Sequence, residues 1–95
     1  MLYAFICTER PGQLAVRQTN RPDHISFLEG LGGKLKVAGP FLDDAGDPTG
    51  SLVIIEADSQ AEAEATAALD PYAKAGLFAH VEVRPWKWTM KNPEA

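Results

Sequence analysis

A chain of 95 residues, 45% hydrophobic and 23% charged, has room for one small domain over 1–95 and the composition of an ordinary globule, not of a disordered segment. Its formal charge of −4, with 9 scattered Lys and Arg, excludes the basic stripe that releases counterions from nucleic acid. Cys7 is the only cysteine, so no intrachain disulfide can form, and neither a basic leader nor an apolar run of membrane length is present. The chain reads as cytoplasmic, with no nucleic acid or membrane as partner.

Leu2 to Thr8 is rich in aromatic and β-branched residues and is bounded by Glu9-Arg10-Pro11-Gly12, which predicts a strand and a turn. The run is apolar at nearly every position, as in a strand covered on both faces. Cys7 within it reads as an inert packing thiol. Helical character builds from about Gln13, and Pro22 predicts a kink or a restart with Asn20 or Arg21 as N-cap. Leu31-Gly32-Gly33 ends the helix, because glycine readily takes the left-handed closing conformation.

Lys34 to Ala38 alternates as a second strand, stopped by Gly39-Pro40, and Phe41 to Thr49 reads as an exposed loop. Leu52 to Glu56 is a third strand. Ser59-Gln60-Ala61-Glu62 is a capping box that opens an alanine-rich helix through Leu69, and Pro71 ends that helix. Tyr72 to Gly76 makes a short turn. From Phe78 to Thr89, Ala79, Val81 and Val83 alternate with His80, Glu82, Arg84 and Trp86, a fourth strand. A folded core over 1–89 and a polar tail over 90–95 complete the chain.

The order βαββαβ predicts an α+β sandwich: a four-stranded antiparallel sheet with two helices on one face. Two helices on one side cannot cover both faces of the first and third strands. A second copy with its sheet packed face to face would, giving a homodimer in which Phe78, Trp86 and Trp88 fill or flank the interface.

The chemistry concentrates on the first helix. His24 shares a face with Phe27, Leu28 and Leu31 at helical spacing, and Arg21 and Arg17 extend that face backward. Cations are almost never fully buried without a partner, so an acidic group or an anion is expected beside them. Asp70, where the second helix ends, is the candidate: a carboxylate in reach of His24 would fix the imidazole tautomer and leave a competent general base. Taken alone, His24 also reads as a packed core histidine and Asp70 as a turn former before proline.

Ser51 lacks the surroundings of a nucleophile and is better placed to orient a substrate. His80 could join His24 and Asp70 on a metal, but no ligand pair has metal-site spacing, so neither metal nor cofactor is expected. Gly30 to Gly33 closes a helix instead of opening one, which argues against a phosphate loop.

Together Arg17, Arg21-Pro22-Asp23-His24, Ala38-Gly39-Pro40, Thr49-Gly50-Ser51, Asp70-Pro71-Tyr72 with Ala75-Gly76, and His80 to Pro85 resemble the YciI-like, YCII-related family from Met1 to about Trp88. No single motif carries the resemblance; the ordered set does. It implies a ferredoxin-like fold that dimerises into an α+β barrel, and a pocket with a His–Asp pair at His24 and Asp70. It further implies, where chemistry is proposed for the family, a lyase or dehalogenase acting on small, often aromatic, molecules.

The expectation is a cofactor-independent acid–base enzyme. His24 and Asp70 are catalytic, Arg17 and Arg21 attract an anionic or phenolic substrate, and Gly39, Pro40, Ser51 and Tyr72 shape the pocket. A non-catalytic ligand-binding or accessory module is the alternative, and an oxygenase or isomerase of the wider barrel superfamily a more distant one.

Overall fold

The computed structural model describes residues 1–94. In chain order it contains β1 (Leu2–Glu9), α1 (Leu14–Gly30), a 3-10 turn (Gly32–Lys34), β2 (Leu35–Leu42), β3 (Pro48–Glu56), α2 (Gln60–Ala68), α3 (Pro71–Lys74) and β4 (Phe78–Trp86). The strands form one antiparallel sheet in the order β2-β3-β1-β4. The two most apolar strands therefore lie in the centre.

Alternation along β1 and β3 assigns the two faces. Tyr3, Phe5, Cys7, Val53 and Ile55 turn toward the helices and form the core with Leu28 of α1 and with Ala63 and Ala67 of α2. Alanine on α2 lets that helix approach the sheet closely. Both long helices pack on this face, which makes the molecule a ferredoxin-like α+β sandwich. The opposite face carries Leu2, Ala4 and Ile6 beside Trp86, Ile54 and Leu52, with no helix over it.

Several boundaries differ from the sequence reading. α1 neither stops nor restarts at Pro22, which lies inside one continuous helix. The donor that proline lacks would have served the carbonyl of Gln18, and both residues are exposed, so water can replace that bond. β2 runs on through Gly39 and Pro40 to Leu42, and β3 begins at Pro48, so the expected long loop shrinks to a turn over 43–47. Pro40 is tolerated because β2 is an edge strand with one unpaired row of backbone groups. The Asp43 carboxylate accepts from the amides of Ala45 and Asp47 at 2.9 and 3.0 Å, and Gly46 takes φ +87, which together close the turn.

Ser59 caps α2 by accepting from Glu62 N at 3.1 Å, as the capping box predicts. Glu62 reaches back one residue further than expected, accepting from Asp58 N at 3.3 Å. Phe78 packs against the helix-facing core and sets its ring edge-on to Tyr72, so it is not part of the open face. The tail over 90–94 is tied down: Lys36 on β2 donates to Glu94 at 2.9 Å, carrying the chain from the β4 edge of the sheet to the β2 edge. Ala95, the last residue of the expected tail, lies outside the described residues.

Candidate functional site

α1 presents Arg17, Arg21 and His24 on one side, and a cavity of about 520 Å³ opens between that side and the helix-facing residues of β2 and β3. The register sets its floor. Pro40 pairs with Ser51 and Ala38 with Val53, so the edge strand and the buried central strand contribute adjacent walls. Gly39 and Tyr72 also border the cavity, while Arg21 stands exposed at its rim. All the residues expected around the pocket are thus gathered there by four different elements, and Asp70 lies directly behind His24.

Asp70 is placed by a junction. Pro71 cannot continue α2, the chain turns extended at Asp70 (φ −60, ψ 127), and α3 starts with proline at its first position. Asp70 is the N-cap of α3, accepting from Tyr72 N at 2.9 Å. The same carboxylate meets His24 Nδ1 with both oxygens, at 2.9 and 3.0 Å. Each residue is 6% exposed. A carboxylate accepts, so Nδ1 carries the hydrogen and Nε2 is left as the acceptor of the ring. Nε2 has no protein partner and is not among the sealed polar atoms of the described residues, so it is reached from the cavity.

Two contacts were not foreseen from the sequence. The imidazole lies flat on the ring of Tyr72, centroids 3.8 Å apart and planes within 9°. Arg17 is paired not with Asp70, the acidic neighbour its sequence context predicts, but with Glu9 at 2.6 Å, and its guanidinium carbon stands 5.1 Å from the centre of the Tyr72 ring. Glu9 closes β1 and Arg17 is one turn into α1; no local pattern marks the pair, because only the packing of α1 over the sheet brings them together.

A profile of the YCII-related domain matches residues 1–87. The chain belongs to the YCII-related family. Protein YciI of Escherichia coli O6:H1 is 40% identical over 95 aligned residues, covering 92% of this chain and 97% of that protein. Among solved structures, 5-chloro-2-hydroxyhydroquinone dehydrochlorinase (TftG) of Burkholderia phenoliruptrix AC1100, in complex with 2,5-dihydroxybenzoquinone, superposes with a TM-score of 0.86 at 41% identity, over 97% of this chain and 99% of that one. A NIPSNAP family protein of Agrobacterium tumefaciens, at a TM-score of 0.56 and 19% identity over 97% and 95% of the two chains, shares the fold alone.

In this YCII-related chain the remaining candidates stand apart from the cavity. His80 pairs with Thr8 on the uncovered side of the sheet and is exposed, so it cannot join His24. Among the described residues no group of three His, Cys, Asp or Glu is placed to hold a metal, and no helix is long and apolar enough to cross a membrane. Burial, then the charges of Asp70 and Glu9, push the Cys7 thiol up to about 12, which removes it as a nucleophile.

Proposed function

We propose that the chain is an acid–base enzyme of the lyase or dehalogenase type, acting on a small phenolic or singly anionic molecule. The observation that carries this reading is the buried His24–Asp70 pair, whose free Nε2 borders the 520 Å³ cavity. In an elimination, Nε2 takes a proton from the substrate and Asp70 holds the resulting imidazolium through Nδ1–H. For a phenolic ring in its keto tautomer the proton comes from a hydroxyl: the electron pair left on oxygen forms the new C=O, the adjacent π pair shifts toward the sp3 carbon that bears the halogen, and the halide leaves. The dehydrochlorinase activity of TftG, at 41% identity over 97% of this chain, supports this reaction class.

The charges narrow the substrate. Glu9 offsets the charge of Arg17, so Arg17 offers mainly N–H donors, and Arg21, without an ion-pair partner among the described residues, supplies a cation at the rim. Asp47 also borders the cavity, and its carboxylate disfavours a second negative group on the ligand. With Arg21 as the cation and carboxylates at Glu9, Asp70 and Asp47 around it, the site suits a phenolate or a monocarboxylate better than a polyphosphate. Ser51, Pro40 and Gly39 complete the wall against which a flat ring would lie.

The test is halide release from a chlorinated hydroxyhydroquinone, together with binding of 2,5-dihydroxybenzoquinone measured by calorimetry. His24→Ala is expected to abolish release and leave binding within severalfold of wild type. Equal loss of binding, with no turnover by the wild-type protein on any halogenated phenol, would instead make the pocket a ligand-binding module.

The working unit in this reading is a homodimer. The helix-free side of the sheet exposes Val37 and Trp86 beside half-buried Leu2, Ile6 and Leu52, an apolar surface that a second copy would cover. Light scattering at micromolar concentration tests it, and a monomer mass would remove the dimer from the proposal.

A further inference from the structure

Tyr72 is 0% exposed, and its hydroxyl is the one sealed side-chain polar atom without a hydrogen-bond partner among the described residues. Buried polar groups are almost always paired, and an orphan costs the full penalty of leaving water. Phenylalanine would stack on His24 equally well without that penalty. The ring is needed where it is, since its backbone amide binds Asp70, its face covers the imidazole and its far surface meets Arg17. The oxygen is accounted for by none of these contacts.

The surroundings say what the oxygen can do. Tyr72 borders the same cavity as His24, Arg17 and Arg21. Burial raises the phenol above its ordinary value, against the pull of Arg17 and Arg21, so the group keeps its hydrogen at neutral pH and acts as a donor. The hydroxyl is sealed, so meeting a ligand oxygen in the cavity requires a small shift of the ring along the imidazole face.

We propose that the Tyr72 hydroxyl is a hydrogen-bond donor to an oxygen of the bound ligand, set beside His24 so that one oxyanion or carbonyl oxygen is held while Nε2 works on the neighbouring position. The site then selects ligands that carry an acceptor oxygen adjacent to the acidic proton. This rests on the reading of the pocket given above and adds to it a named donor and a required functional group.

Tyr72→Phe is the test, because it keeps the ring and deletes only the oxygen. Melting temperature and affinity for 2,5-dihydroxybenzoquinone are measured on the same preparations of wild type, Tyr72→Phe and His24→Ala. The expected result is a melting temperature equal to or above wild type, with affinity lowered about tenfold or more, the loss that goes with a hydrogen bond to a charged oxygen. Unchanged affinity in Tyr72→Phe overturns the inference alone if wild type binds the probe. A melting temperature several degrees lower overturns it too, since the hydroxyl would then serve the fold. Wild-type protein that binds no hydroxybenzoquinone overturns both this inference and the functional reading beneath it.

Discussion

Arg17 Nη1 donates to Glu9 Oε2 across 2.6 Å with only 9% and 6% of the two side chains exposed, tying the first turn of α1 to the end of β1. A pair this deep is stabilising mainly in the sense that neither partner tolerates losing the other. Glu9→Ala is expected to lower unfolding stability in urea by about 3 kcal/mol, because it strands a buried guanidinium. Replacing both residues together, Glu9→Leu with Arg17→Met, is expected to restore most of the loss. Single and double variants within about 0.5 kcal/mol of each other would show that the pair is relaxed by water in solution.

Asp70 serves two donors, and two substitutions separate them. Asp70→Asn retains an oxygen that can accept from Tyr72 N, so α3 keeps its cap. Asp70→Ala removes the cap and also leaves His24 Nδ1 buried without a partner. We expect the alanine variant to be less stable than the asparagine variant by about 1 kcal/mol, the usual worth of a cap, and both to lose halide release. Equal stabilities in chemical denaturation would contradict the capping role.

Gly50 lies against the backbone of β1. A Cβ there would run into the carbonyl oxygen of Cys7, on a strand whose register is held from Leu2↔Glu56 to Thr8↔Gly50. Gly50→Ala is expected to cost about 1–3 kcal/mol, in the range of other overpacking substitutions, with a melting temperature lower by several degrees. The neighbouring Gly39 has open space around its Cα, so Gly39→Ala serves as the control and should melt close to wild type.

The Cys7 thiol sets the response to alkali. Its value is raised from 9.0 to about 12 in the folded chain by burial first and by Asp70 and Glu9 next. A raised value means that the folded form keeps the proton longer. The stabilisation is therefore complete below pH 9 and is lost as pH climbs toward 12, at a slope of about 1.4 kcal/mol per unit while only the unfolded chain ionises. Tyr72 is shifted in the same direction from 10.0 and adds to the slope above that pH. Cys7→Ala is expected to flatten the profile between pH 9 and its own alkaline limit. Iodoacetamide should label Cys7 at pH 8 only in denaturant; rapid labelling of the native chain would contradict the burial argument.

Much of this molecule is legible from the amino-acid order, because its elements are specified locally. Period-2 and near-continuous apolar runs mark β1 and β3, Ser59 and Glu62 announce α2, and Pro71 after Asp70 stops it. The helical register alone puts Arg17, Arg21 and His24 on one face, the need for an acidic group beside them points to Asp70 at the end of the second helix, and the resemblance of the ordered motifs implies the same pair. What the order of residues does not determine is anything that needs two distant segments in contact. Pro22 and Pro40 read as breaks because a single strand or helix has no neighbours to compensate for a missing donor; in the fold, solvent on α1 and the unpaired edge of β2 absorb both. Glu9 as the partner of Arg17, the flat stack of Tyr72 on His24 and the unpartnered Tyr72 hydroxyl exist only once α1 and α3 are laid over the sheet. Local propensity sets which elements form. The long-range burial that places charges and rings against one another is decided by packing, and the chemistry of the cavity resides there.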